Sequence, residues 1–371
     1  MLYQTVMRPW LFQADPEAAH ERTLKLAAWT GRWRIGRDAA ETLFVIDDRR
    51  LRQTVFGLEF QNPVGLGAGY DKNAVGLAFW PALGFGFVEI GSVTARAQPG
   101  NESPRLFRQV KQRALINRMG FNNEGADAIA VRVPLPPHRL PVGVNVGKNR
   151  DVDLAEAAES YLATIERFRR RADFFVINIS SPNTPGLRQL QDREMLDELL
   201  AKVVGGTRGA CTESRSIASV PAPGGHDGAR PSKETPVLLK IAPDLTFEQI
   251  DDVVELALQH EIAGIVATNT TIDHPMPSQG GLSGAPLRAR STRCVRHIWR
   301  QTLGKVPIIG VGGIFTAEDA YEKIRAGASL VEVWTGLVYE GPGLMRKINS
   351  GLLRLLERDG LGNIAEAVGT E

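Results

Sequence analysis

The chain has 371 residues, 43% hydrophobic and 23% charged, with 44 basic side chains against 42 acidic ones. That suits one large α/β domain or two smaller ones and argues against global disorder. A net charge of +2 lacks the basic excess of a general nucleic-acid binder, and Cys211 and Cys294, without CxxC spacing, argue against a disulfide framework and fit a reducing compartment.

Residues 1–50 are expected to form a helical cap and linker. Tyr3, Val6, Met7, Trp10 and Leu11 share one helical face, and Pro9 within that pattern is expected to kink or restart the helix. Asp15-Pro16-Glu17 reads as a helix start and Gly31 as a stop. Residues 1–31 therefore read as two short amphipathic helices, either packed on the bottom of the main domain or lying in a membrane surface. No window approaches the ~20 apolar residues of a membrane span, and no signal-peptide pattern is present. A cytoplasmic protein follows, with contact at a membrane surface still open.

From residue 63 onward, eight short apolar runs recur: PVGLGAG (63–69), FGFVEIGSVT (85–94), PVGVNVG (141–147), DFFVINIS (173–180), PVLLKIA (236–242), GIVATNTT (264–271), VPIIGVGG (306–313) and LVEVWTG (330–336). Continuous apolar runs fit parallel strands covered on both faces. Helical segments are expected over 153–170, 192–204, 246–260, 287–302 and 317–326, with Thr246 and Thr316 as N-caps. Eight β-then-α units over residues 51–360 predict a (β/α)8 TIM barrel, with 361–371 as a tail. The alternative, a doubly wound sheet, usually opens on GxGxxG, and GLGAGYDK carries only part of that spacing. Residues 205–235, rich in Gly, Ser and Pro, read as a flexible surface insertion.

Barrel function sits at the C-terminal ends of the strands. Those ends hold Ala68-Gly69-Tyr70-Asp71-Lys72, Ser92, Asn145, Asn178 to Asn183, Lys240, Thr268-Asn269-Thr270, Gly312-Gly313 and Trp334-Thr335-Gly336. Asn145, Asn178, Asn183 and Asn269 at matched positions predict a pocket that both donates and accepts hydrogen bonds. The glycines after the seventh strand, paired with Thr335-Gly336 after the eighth, fit a phosphate site. The six histidines are scattered and no metal-binding motif occurs, so no metal is expected. Amides, hydroxyls and lysines around a phosphate suit an organic cofactor that supplies the difficult chemistry.

The motifs GAGYDK, EIGSVT, PRLFR, INRMGFNN, GVNVGKN, NISSPNTPGLRQLQ, KIAPDL, TNTT, GGLSG, IIGVGGI and RAGASLVEVWTG together resemble the dihydroorotate dehydrogenase family, and within it the quinone-dependent, membrane-associated class 2 branch. The resemblance implies an FMN-binding barrel that oxidises (S)-dihydroorotate to orotate, the fourth step of de novo pyrimidine synthesis. It implies transfer of the electrons to ubiquinone or menaquinone under an N-terminal cap, on the cytoplasmic side of the inner membrane. Ser181 matches the catalytic base, where class 1 relatives carry Cys. FMN contacts carry over to Ala68, Gly69, Tyr70, Asp71, Lys72, Ser92, Asn145, Asn178, Lys240, Thr268, Gly284, Gly313, Trp334 and Thr335. Orotate contacts carry over to Lys72, Asn117, Arg118, Met119, Gly120, Phe121, Asn178, Asn183, Asn269 and Thr270. His20 and Arg108 fall on the quinone side. Trp334 departs from the family's usual Tyr, and Tyr70 from a plainer apolar residue. A flavin barrel acting on another cyclic amide or a soluble acceptor, and a non-redox phosphate-binding barrel, are the competing readings.

Overall fold

In the computed structural model, which describes residues 3–217 and 234–371, helices come first. A π-helical turn (Tyr3–Met7) leads into α1 (Arg8–Gln13), α2 (Pro16–Arg32) and α3 (Arg34–Phe44). Pro9 lies in the first turn of α1, where its missing N–H is no loss. Asp15 caps α2, its Oδ1 accepting from the N–H groups of Glu17 and Ala18 at 3.0 Å. The span read as a linker holds α3, a helix that escaped the sequence reading. Ile35, Ala39, Ala40, Leu43 and Phe44 recur at helical spacing, a signal that was there to read. Of these Ala40 is buried, Phe44 packs against the core, and Ile35 and Leu43 face solvent.

A hairpin follows, β1 (Gln53–Val55) with β2 (Leu58–Phe60), and then the barrel. Its strands are β3 (Val64–Leu66), β4 (Phe87–Val93), β7 (Val142–Val146), β8 (Phe174–Asn178), β9 (Val237–Ile241), β10 (Gly264–Ala267), β12 (Ile308–Val311) and β13 (Leu330–Val333). They pair in parallel in chain order, and β13 closes onto β3 with Val331 opposite Val64. The eight apolar runs are these eight strands.

Between β4 and β7 the chain forms β5 (Leu106–Gln109), β6 (Ala114–Asn117) and α4 (Ala126–Ala130). β11 (Gly281–Gly284), from the loop after β10, joins them in an antiparallel sheet ordered β11-β6-β5. The outer helices are α5 (Ala157–Phe168), α6 (Arg193–Ile217), α7 (Phe247–Gln259), α8 (Arg288–Thr302), α9 (Ala317–Arg325), α10 (Thr335–Glu340) and α11 (Leu344–Asp359). Thr246 and Thr316 form capping boxes with Gln249 and Asp319.

Two spans differ from the sequence reading. α6 continues through Ile217, so the expected insertion begins as helix. Leu196, Leu199, Leu200, Val203 and Val204 bury its first half, and extending a formed helix needs only one more hydrogen bond per residue. The remainder of the expected insertion, 218–233, lies outside the described residues. The expected tail, 361–371, packs back onto the barrel, with Ile364 and Ala367 fully buried.

Side chains alternate along each strand, and the inward-facing ones change character from bottom to top. Phe87, Phe174, Val176, Leu238, Val266, Ile309 and Leu330 form one apolar cluster with Val55, Leu58 and Phe60 of the hairpin. The hairpin therefore plugs the N-terminal end. Two residues further along their strands stand Glu89, Asn178, Lys240, Thr268 and Glu332, all buried. Period-two geometry thus turns a dry barrel floor into a polar barrel mouth.

Candidate active site

A cavity of about 150 Å³ opens at that mouth. Its floor is an amide network. Asn178 Nδ2 donates to Ser92 Oγ at 2.9 Å and to Asn145 Oδ1 at 3.1 Å. Asn269 Nδ2 donates to Ser180 Oγ at 3.1 Å, and Asn183 Nδ2 to Asn117 Oδ1 at 2.9 Å. These bonds fix which amide atoms face the cavity. Ser181 is buried, lines the cavity, and its Oγ accepts from the Asn183 N–H at 3.3 Å. The loop that carries Ser181 is tied down by Arg188, which donates to the Ser180 and Thr270 carbonyls and pairs with Asp244 at 2.7 Å.

Two lysines reach the cavity. Lys240 Nζ lies 3.2 Å from Glu89 Oε2 and 3.6 Å from Glu332 Oε2. Lys72 has no carboxylate partner among the described residues, and burial pulls its ammonium down to about 8, with Arg105 adding to the fall and Glu17 opposing it. A cation lacking an internal counter-ion is poised for an anionic ligand.

Backbone groups define the opposite wall. The N–H groups of Gly312, Gly313, Thr335 and Gly336 make no hydrogen bond to another described residue. Gly313 has φ +73°, and a Cβ there would meet Arg288 at 2.4 Å. The N-terminus of α9 is already occupied, because Asp319 Oδ2 accepts from Phe315 N at 2.9 Å and Thr316 N at 3.1 Å. Anion-binding capacity therefore rests on these two loops and not on the α9 terminus.

A second cavity, of about 290 Å³, lies between the cap and the barrel. Tyr3, Met7, Leu11, Phe12, Leu26, Phe44, Phe79, Leu83 and Val338 line it. His20 sits in its wall, edge-on to Tyr70 at 4.8 Å and stacked against Trp334 at 6.0 Å. Its Nδ1 is buried without a partner, and burial, with Lys72 nearby, pulls its pKa down to about 3, so the ring is neutral. Arg108 spans the wall, donating to the Ala14 carbonyl at 2.7 Å and lying 4.7 Å over the Phe12 ring. The cap is anchored by Tyr3 Oη to the Val338 carbonyl at 2.6 Å and by a half-buried ion pair of Glu17 and Arg105 at 2.8 Å. Leu106, Leu115 and Trp334 line both cavities.

A family model described as dihydroorotate dehydrogenase matches residues 50–356. A protein of Gloeobacter violaceus named dihydroorotate dehydrogenase (quinone) is 47% identical over 367 residues, covering 98% of this chain and 97% of its own. One of Anaeromyxobacter with the same name is 48% identical over 375 residues, covering 98% and 96%. The crystal structure of DHODH from Eimeria tenella in complex with ferulenol superimposes with a TM-score of 0.83 at 38% identity, over 96% of this chain and 95% of that one.

The chain belongs to the dihydroorotate dehydrogenase family. Of the residues matched to the family's motifs, Ala68, Gly69, Lys72, Ser92, Asn117, Met119, Gly120, Phe121, Asn178, Ser181, Asn183, Lys240, Thr268, Asn269, Thr270, Gly284, Gly313, Trp334 and Thr335 all line the barrel cavity. His20 and Arg108 line the cap cavity. Four stand elsewhere. Tyr70 lines the cap cavity instead. Asp71 is wholly buried, binding the N–H groups of Val75 and Gly76 and the indole of Trp80, so it shapes the loop that presents Lys72. Asn145 lies one layer below the cavity, held by Glu89 and Ser92. Arg118 turns away to the Pro104 carbonyl at 2.9 Å.

Glu89 and Glu332 escaped the sequence reading. Each is the one charged residue in its strand, which was the available signal. Neither run shows that the two acids converge on one lysine.

Proposed function

We propose that this family member oxidises (S)-dihydroorotate to orotate, with FMN in the barrel cavity as hydride acceptor and a membrane quinone, ubiquinone or menaquinone, as final acceptor. The step is the fourth of de novo pyrimidine synthesis. The observation that carries this reading is the convergence of Ser181, the unpaired Lys72 ammonium and four asparagines on one cavity.

The cavity suits FMN. The unpartnered N–H groups after β12 and β13 fit a phosphate monoester, and Gly313 leaves the space that a side chain would fill. Thr268 Oγ1 is buried without a hydrogen-bond partner, which a bound polar ring would satisfy. Gly284, Thr335, Ala68, Gly69, Ser92, Asn178 and Lys240 complete the cradle. FMN, when bound, supplies a hydride acceptor that no side chain here provides.

The chain's own residues do the rest. Lys72 holds the substrate carboxylate by charge-assisted hydrogen bonds. Asn117, Asn178, Asn183, Asn269 and Thr270 hold the ring amides, and the loop of Met119, Gly120 and Phe121 closes over the ring. That pinning orients C5 toward Ser181 Oγ. Ser181 takes the C5 proton, and because an alcohol is a weak base it must pass a proton on. The Thr184 hydroxyl, buried without a partner, lies three residues along. Lys240 places positive charge where negative charge develops on reduction.

The cap cavity fits an apolar quinone ring, with Arg108 and the neutral His20 as its polar contacts. Val6, Trp10, Leu26, Trp29, Trp33, Ile35 and Leu43 are exposed large apolar residues on the cap, and among the described residues no helix is long and apolar enough to cross a membrane. On this proposal residues 1–50 act as a peripheral membrane-associating cap, its exposed apolar side chains facing the lipid on the cytoplasmic side of the inner membrane, and residues 51–360 as the catalytic barrel. The test is turnover of the purified protein. Dihydroorotate-dependent reduction of a quinone, with little reduction of fumarate or NAD, is expected. Preference for a soluble acceptor would refute the quinone assignment.

A further inference from the structure

The eight barrel strands carry three titratable side chains: Glu89 on β4, Lys240 on β9 and Glu332 on β13. All are buried, and Glu332 reaches the cavity wall, where Lys72 and Lys240 also stand. β3 and β12, which flank β13, contribute no ionisable group. Two carboxylates therefore share one ammonium in a site shielded from water. With both ionised, the cluster would hold one uncompensated negative charge, an arrangement that low-dielectric interiors strongly disfavour.

The two acids are not equivalent. Glu89 accepts from the Asn145 amide, and both its oxygens lie within 3.3 Å of Lys240 Nζ. Glu332 has no hydrogen bond to either oxygen, and the ammonium stands further off at 3.6 Å. Burial pushes the Glu332 carboxyl well above the usual range, and the negative charge of Glu89 adds to this. Burial also opposes ionisation of Glu89, but Lys240, the neighbouring Glu332 carboxyl and the Asn145 amide outweigh it and hold Glu89 below that range. The shared proton sits on Glu332.

We propose that Glu332 is a neutral acid on the wall of the flavin cavity, and that its proton keeps the Glu89–Lys240–Glu332 cluster electrically neutral and so sets the reduction potential of the bound flavin. This rests on the FMN reading above. Glu332 is a positioning residue for charge, not a base for the substrate. Reduction by hydride adds one negative charge beside the cluster, so an ionised Glu332 would make the flavin a poorer acceptor. The two acids differ in the wild type, but either one alone can serve as the counter-ion of Lys240. When either is neutralised, the other becomes the counter-ion of Lys240.

The test combines infrared spectroscopy with flavin potentiometry on the holoenzyme and on E332Q, E89Q and the double variant, with the visible flavin spectrum as the measure of folding and loading. The wild type should show the carbonyl stretch of a protonated, buried carboxylic acid. E332Q should lose that band because the acid is gone, and E89Q should lose it because Glu332 ionises to pair with Lys240. Each single variant should leave the flavin midpoint near that of the wild type. The double variant, with Lys240 unopposed, should shift it positive by far more than the two single shifts combined. Persistence of the band in E332Q or E89Q, or additive midpoint shifts, would overturn the inference and leave the FMN reading intact. A colourless protein that takes up no FMN would overturn both.

Discussion

The two cavities meet at one wall and are built on opposite principles. The barrel cavity is small, about 150 Å³, and sets amides, hydroxyls and lysines among aliphatic and aromatic side chains. The cap cavity is larger, about 290 Å³, and its wall is almost wholly aliphatic and aromatic. The first fits a charged, hydrogen-bonding ring that must be pinned within tenths of an ångström. The second fits a lipid-soluble ring that needs a dry slot and little else. Leu106, Leu115 and Trp334 belong to both walls, so on the proposed function electrons would pass between the two cavities across these side chains. On this reading the protein separates its two half-reactions by solvent character and joins them through the cofactor.

Substitutions that damage one cavity and spare the other sharpen this contrast. The largest effect is expected from Ser181→Ala. Loss of a general base costs roughly 10²–10⁴-fold, so flavin reduction by dihydroorotate should slow by that order in stopped flow. FMN content and reoxidation by quinone should stay normal. Deleting residues 1–31 should do the reverse, removing most quinone turnover and sparing flavin reduction. Equal loss of both would make the cap purely structural.

Lys72→Ala should come next. Losing a charge-assisted hydrogen bond costs roughly 1.5–3 kcal/mol, or about 10- to 100-fold in orotate affinity by titration, with the KM for quinone unmoved. The same lysine gives a pH signature. Its pKa is lowered to about 8, so it is cationic below that value and loses its charge as pH rises through it. Orotate binding should be full at pH 7 and weaken above about 8, and Lys72→Ala should abolish this dependence. The smallest effect is expected from Trp334→Tyr, which keeps an aromatic ring in the shared wall. A change in the KM for quinone without a change in flavin reduction would assign that side chain to the cap cavity.

The barrel was legible because parallel strands covered on both faces must be continuous apolar runs, and the capped helices between them because Thr246 and Thr316 carry their capping partners three residues on. What escaped the sequence had no local signature. β5, β6 and β11 are four-residue strands whose pairing depends on residues far apart in the chain. α3 is the exception: its apolar residues recur at helical spacing, with Phe44 turned to the core and Ile35 and Leu43 outward. For the site, individual residues were readable from their motifs, but their layering was not. Asn145 and Asp71 sit behind the cavity and Arg118 beside it, since a motif gives proximity in sequence and not the direction of a side chain. The position of the cap was open between the bottom of the barrel and a membrane surface. Contacts of His20 with Tyr70 and Trp334 place it over the mouth, and the β1–β2 hairpin takes the bottom instead.

The central claim is that two half-reactions run in two cavities around one flavin. Anaerobic mixing of the purified yellow protein with dihydroorotate, followed by a quinone, tests it most directly. The account predicts that the flavin absorbance bleaches with dihydroorotate alone and returns on adding quinone. A flavin that stays oxidised with dihydroorotate, or one that stays bleached when quinone is added, would contradict it.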